Sequence, residues 1–155
     1  MRIRTSLLTL AVLFAAATVC FAADDPQIGS WKLNEAKSKF GAGAPKNTSV
    51  VYEAAGDSVK VTVDGVSGDG KATHTEWTGK FDGKDYPVTG DGSSDARSYK
   101  RINANTLAMT NKKGDKVTIS GRITVSPDGK TRTVTTSATD ANGKKISSTA
   151  VYDKQ

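Results

Sequence analysis

Gly29-Ser30-Trp31-Lys32-Leu33-Asn34-Glu35-Ala36-Lys37-Ser38-Lys39-Phe40 is the stretch on which the fold turns. Gly29 lets the backbone approach another segment closely, because it carries no Cβ. Trp31 offers a large apolar surface for burial and an indole N–H that needs an acceptor. Asn34, followed by Glu35, Ala36 and Lys37, has the chemistry of an N-cap opening a short helical turn. The stretch therefore predicts a strand over Gly29–Leu33 that enters the base of a barrel. A short helical turn over residues 34–40 then plugs that base.

Working outward, residues 41–45 form a flexible joint ending in Pro45. From residue 48 onward, short runs of Val, Ile, Thr and Tyr alternate with Gly-containing turns, and no helical period returns. Val59, Val61 and Val63 alternate with Lys60 and Thr62. Val117, Ile119, Ile123 and Val125 alternate with Thr118, Ser120, Arg122 and Thr124. Both sets read as inward-facing. Asp82-Gly83 and Asn142-Gly143 are hairpin signals, and Pro87 suggests an edge or rim strand. The expected architecture is all-β: an antiparallel up-and-down β-barrel of roughly eight to ten strands with one short N-terminal helical turn. Closure would remove exposed edges from this Thr-rich sheet.

Gly29-Ser30-Trp31-Lys32-Leu33 with Ser38-Lys39-Phe40 resembles the opening of lipocalins and fatty-acid-binding proteins, the calycin group. Thr149-Ala150-Val151-Tyr152-Asp153-Lys154 is similar to the last strand of intracellular fatty-acid-binding proteins. As a whole the chain looks like a small secreted bacterial lipocalin-like protein. The resemblance implies a β-barrel with an internal cavity, with Gly29 and Trp31 as its structural motif. The fatty-acid-binding proteins carry an arginine two residues before the closing tyrosine; here that position is Ala150, so of the Arg/Tyr pair Tyr152 alone carries over. The helix-turn-helix lid of that group is also missing after the first strand.

The chain has 155 residues, which suits one domain. Its start has the order of an export leader: Arg2 and Arg4, an apolar run over residues 7–19, then small residues at Ala22 and Ala23. A signal peptide over residues 1–22 and a lipocalin-like barrel over residues 23–155 are the expected divisions, with a secreted or periplasmic location. The apolar run is shorter than the ~20 residues a spanning helix needs, so no integral membrane segment is expected in the exported chain. Loss of the leader would remove Cys20, the one cysteine, and with it any disulfide or thiolate chemistry. It would also remove Arg2 and Arg4, lowering the formal charge from +6 to +4. A nucleic-acid partner is not expected, since Lys112-Lys113 and Lys144-Lys145 sit beside turns and no basic stripe with stacking aromatics occurs.

No complete catalytic motif is present, so the chain does not read as an enzyme. Gly65-Val66-Ser67-Gly68-Asp69-Gly70-Lys71-Ala72 falls short of a phosphate-binding loop: Ala72 replaces the metal-holding hydroxyl, and a strand follows where a helix belongs. The Asp-Gly pairs lack the spaced carboxylates of a calcium loop. His74 and Glu76 share a strand face, as a base with its orienting carboxylate, two metal ligands, or a solvated polar face. Arg97, Tyr99 and Arg101 share another. Pointing inward they would suit an anionic or polar headgroup; pointing outward they would be an exposed charged face. Trp77, Arg97, Tyr99, Arg101 and Tyr152 are the candidate ligand-binding residues, with no catalytic residue, metal or cofactor. The expected function is non-covalent binding of a small apolar or amphiphilic molecule by a monomer. The rivals are a cell-envelope structural or interaction protein whose barrel is filled by its own side chains, and an enzyme using His74 and Glu76.

Overall fold

Each alternating run of the sequence becomes a stave. The computed structural model describes residues 25–139 and 142–155; the expected leader, its cleavage site and Cys20 lie outside the described residues. The strands are β1 (Gly29–Leu33), β2 (Lys46–Ala55), β3 (Ser58–Val66), β4 (Ala72–Gly79), β5 (Tyr86–Thr89), β6 (Ala96–Asn103), β7 (Thr106–Lys113), β8 (Lys116–Val125), β9 (Thr131–Thr139) and β10 (Lys145–Lys154). They pair antiparallel in sequence order, and β1 joins β10 to close the barrel. Pro87 therefore lies in a short stave between β4 and β6 and not at a sheet edge; it pairs with Ala96 on β6, while Val88 and Thr89 pair with β4.

Antiparallel order sorts the connections between two ends. Turns β2–β3, β4–β5, β6–β7 and β8–β9 lie at one end, with residue 25 and the C-terminus. The link from β1 to β2 and turns β3–β4, β5–β6, β7–β8 and β9–β10 lie at the other. We call these the floor and the mouth.

Trp31 anchors the floor. It is fully buried, its indole N–H donates to the Gln27 carbonyl at 3.0 Å, and Lys154, its register partner on the last strand, holds its ammonium 5.2 Å from the ring centroid. Gly29 has φ 126°, and a Cβ there would stand 2.9 Å from Lys154 Cε. Only glycine suits both conditions.

The plug is not the helical turn that the sequence suggests. Residues 25–28 fill that role: Gln27 is fully buried, and its amide donates to the Asn105 carbonyl at 3.1 Å. The turn itself forms as a 3-10 helix over Glu35–Lys37, with Asn34 accepting from the Lys37 amide at 3.2 Å as N-cap. It buries no residue. Glu35 and Lys37 are charged, so the turn bulges outward and the chain resumes pairing with β10 at Lys39 and Thr149.

The inward apolar set also needs one correction. Val61, Val63, Ile123 and Val125 are buried, whereas Val117 is 51% exposed. Asn111 pairs with Ile119 but Lys112 pairs with Val117, so Thr118 is an extra residue in the β8 ladder. Such a bulge reverses the face of everything beyond it. Val117 thus shares the outer face with Lys112.

Candidate functional site

Alternation puts one residue set of each strand inside, and the two halves of the interior differ. Toward the floor it is packed with rings. Trp77 and Tyr99 meet edge-on with centroids 4.8 Å apart; Tyr52 lies 6.2 Å from Tyr99, and Phe81 lies 5.9 Å from Tyr99. These edge-to-face contacts each add about 0.5–1.5 kcal/mol beyond area burial. Toward the mouth the wall formed by β7–β10 is lined by Met109, Ile119, Gly121, Thr136, Ala138, Ile146 and Ser148. All carry the inward phase of strands whose floor-side members are buried, yet each is only half-buried. Solvent therefore reaches the interior from the mouth. A shallow open depression of about 420 Å³ lies on the outer face of β8–β10, where the outward side chains of Ser120, Arg122, Thr135, Ser137, Ser147 and Thr149 flank the row Gly121, Thr136 and Ser148. The inner side of that row is packed: a Cβ on Gly121 would stand 2.6 Å from the Thr135 carbonyl oxygen and 3.2 Å from Thr136 Cγ2.

Two guanidiniums lie inside. Arg132 on β9 is the register partner of Tyr152 on β10 and is 3% exposed. Its Nη2 donates to the Tyr52 hydroxyl at 2.6 Å, and its guanidinium carbon sits 4.7 Å from the Tyr52 centroid and 5.5 Å from the Tyr152 centroid. Its Nε has no hydrogen-bond partner, and no carboxylate among the described residues pairs with it. Arg97 on β6 is also buried. Its Nε donates to Asn111 Oδ1 at 2.9 Å, and its carbonyl accepts from the Trp77 indole at 2.9 Å.

The phenols stay neutral. Burial pushes Tyr52 well above its usual value; Arg132 opposes this, and Tyr99 adds to the rise. Burial likewise raises Tyr152 against the pull of Arg132. Burial works against the charge on Arg97, but Tyr99, Tyr52 and Asp91 outweigh it and hold the guanidinium protonated. The Tyr52 hydroxyl accepts from Arg132, and its hydrogen bond with the Tyr99 side chain adds to the rise in its pKa. The interior thus holds two fixed positive charges and neutral donors beside them, which is an arrangement suited to an anion.

Of the sequence candidates, Trp77, Arg97, Tyr99 and Tyr152 come together inside. Arg101 does not join them. It lies toward the floor, paired with Asp25, donating to the Ala104 carbonyl at 3.1 Å and stacked 5.0 Å from the Phe81 centroid. Arg132, Tyr52 and Asn111 belong to the cluster without having been singled out. A signal for Arg132 existed: in Thr131-Arg132-Thr133-Val134-Thr135 it shares the face of Val134, an arginine on the apolar side of a strand.

His74 and Glu76 are on the outer face. His74 Nδ1 is 2.6 Å from Asp64 Oδ1 and Nε2 is 3.9 Å from Glu76 Oε1, while Lys60 Nζ lies 2.9 Å from the same Glu76 oxygen. Donation of its Nδ1 proton to the Asp64 carboxylate raises the His74 pKa. The group is more than a third exposed throughout. Among the described residues no group of three or more His, Cys, Asp or Glu could hold a metal, and no helix is long and apolar enough to cross a membrane. The glycine-rich segment between β3 and β4 is a closed turn, with the Ser67 amide donating to the Lys71 carbonyl at 2.8 Å.

No family model matches the chain, and no curated protein matches it. A similar solved structure is that of EF1p2_mFAP2b bound to DFHBI, with a TM-score of 0.50 and 10% sequence identity, covering 84% of this chain and 94% of that one. At that identity the likeness is one of fold, and it agrees with a calycin-like closed barrel.

Proposed function

We infer that this protein binds a small amphiphilic molecule inside its barrel, without chemistry on it, and does so after export. The observation that carries the reading is Arg132. An unpaired guanidinium at 3% exposure costs several kcal/mol of desolvation in the empty protein. An anionic group against the Nε side of the Arg132 guanidinium would offset that cost and satisfy the unpartnered Nε, leaving the bond to Tyr52 in place. The half-buried wall of Met109, Ile119, Thr136 and Ile146 would take the apolar part, releasing water held there. The barrel of similar fold bound to DFHBI supports the capacity of such a fold to hold a small molecule.

The aromatic packing near the floor favours a second reading: a barrel filled by its own side chains, serving a structural or interaction role in the cell envelope. Calorimetric titration with dodecanoate and dodecanol separates the two. The binding reading expects dodecanoate to bind at least tenfold tighter than dodecanol, with Arg132→Met erasing the difference. Equal binding of the two removes the anionic part of the reading, and binding of neither leaves the filled barrel.

A further inference from the structure

The two buried arginines are not equivalent, and the difference lies in the turn between β5 and β6 at the mouth. Arg132 faces no carboxylate among the described residues. Arg97 faces Asp91, with Oδ2 and Nη2 3.7 Å apart and side chains 15% and 9% exposed. That distance pairs the charges but exceeds a hydrogen bond. Asp91 is instead bonded within its own turn: its Oδ1 accepts from the Ser93 amide at 2.8 Å and the Ser93 hydroxyl at 2.7 Å.

The turn has a fixed part and a free part. Ser94 is buried with its hydroxyl 3.2 Å from that of Thr118, the Asp95 amide donates to the Lys112 carbonyl at 2.9 Å, and the Asp95 carboxylate accepts from the Gly114 amide. Asp91 itself stands between two glycines. Gly90 has φ 79°, and a Cβ there would stand 2.0 Å from the His74 carbonyl oxygen, so only glycine fits. Gly92 has open space where a Cβ would point. The segment that carries Asp91 is thus held on both sides, at Gly90 against β4 and at Ser94 and Asp95 against β7 and β8, with open space at Gly92 between them.

We propose that Asp91 is a displaceable resident counter-ion of Arg97: it occupies an anion position at the mouth that an acidic group of a ligand takes over when the segment carrying Asp91 swings out. This rests on the binding reading above and adds its control. A ligand with one acidic group is held at Arg132 and leaves Asp91 in place. A ligand with a second acidic group toward the mouth competes with Asp91 for Arg97. While Asp91 stays paired it cancels most of the Arg97 charge, so a second anion gains little attraction there until the carboxylate leaves. The same carboxylate keeps Arg97 paired in the empty barrel, which Arg132 is not.

The test is titration of wild type, Asp91→Asn and Asp91→Asn/Arg97→Met with dodecanoate and with linear α,ω-dicarboxylates of graded length. Asp91→Asn keeps the side-chain oxygen that accepts from Ser93, so the turn is retained. The expected result is a gain of at least tenfold for one or more diacids in Asp91→Asn, with less than a threefold change for dodecanoate, and loss of the gain on adding Arg97→Met. If wild type binds dodecanoate but no diacid gains in Asp91→Asn, or the gain survives Arg97→Met, the counter-ion role is overturned and the binding reading stands. If no acid binds any of the three proteins, both fall.

Discussion

The floor half and the mouth half of this barrel are built from the same alternating strands but solve opposite problems. The floor half closes on itself: Trp31, Gln27 and Leu107 are fully buried, and Tyr52, Trp77, Phe81 and Tyr99 meet ring against ring. On the mouth side, the wall of β8–β10 leaves Ile119, Gly121, Thr136, Ala138, Ile146 and Ser148 half-buried, whereas Val63 and Asn111 across from it are buried. Arg132 and Arg97 lie in the interior that the two share. The contrast teaches that packing and charge are separable here: the floor half supplies the packing, and the two arginines supply the charge that the proposed binding would use.

The sharpest way to break that comparison is truncation on each side. Trp31→Ala should cost about 3–5 kcal/mol in urea unfolding, as large aromatic truncations in cores do. Thr136→Ala should stay within about 0.5 kcal/mol of wild type, the range of substitutions away from packed sites. Equal losses from the two would mean the halves are not distinct. Arg132→Met comes next. Replacing a buried ion by an apolar side chain of similar volume is often neutral or stabilising, so the empty protein should gain between zero and about 2 kcal/mol. A loss of similar size would make Arg132 part of the packing.

A smaller effect sharpens the mouth side. Ile119→Trp places a bulky ring at a half-buried inward position. It should weaken dodecanoate at least tenfold while leaving the melting temperature within a few degrees. Unchanged affinity would move the ligand away from this wall.

His74 gives the smallest effect and belongs to neither half. Its hydrogen bond to the Asp64 carboxylate raises its pKa in the folded state. The stabilisation is therefore fully present below the unfolded value of about 6.5 and is lost as pH rises through the folded value. The melting temperature of wild type should exceed that of His74→Gln at about pH 5.5, with the gap closing by about pH 8.5. Dodecanoate affinity should not differ between the two at either pH. An affinity change would draw the outer face into the site.

The barrel was legible because period-two alternation and Gly turns are local signals: Val59 to Val63 and Ile123 to Val125 needed only their own neighbours. The floor was half legible. Trp31 declared its burial through size and through Gly29 beside it, but the plug was Gln27, a polar residue whose acceptor, Asn105, lies far along the chain. Val117 was misread because a bulge at Thr118 depends on the partner strand, which a single run cannot show. The site was least legible. Arg97-Ser98-Tyr99 announces a shared face without its direction, and the pairing of Arg132 with Tyr152 is set by the β9–β10 register. The arginine missing from Ala150 is supplied one strand away, where a motif read along the chain does not look.

The central claim is that a ligand's anionic group rests against a buried guanidinium, and the carboxyl carbon of bound dodecanoate reports on it directly. We would titrate dodecanoate labelled with 13C at that carbon, in slow exchange on the protein, and follow its chemical shift with pH. Pairing with an opposite charge lowers a carboxylate pKa by about 1–3 units. The account predicts a bound carboxylate that stays ionised well below the pH at which the free acid titrates. In Arg132→Met that protection should vanish. A bound carboxylate that titrates with the free acid in the wild-type protein would contradict the account.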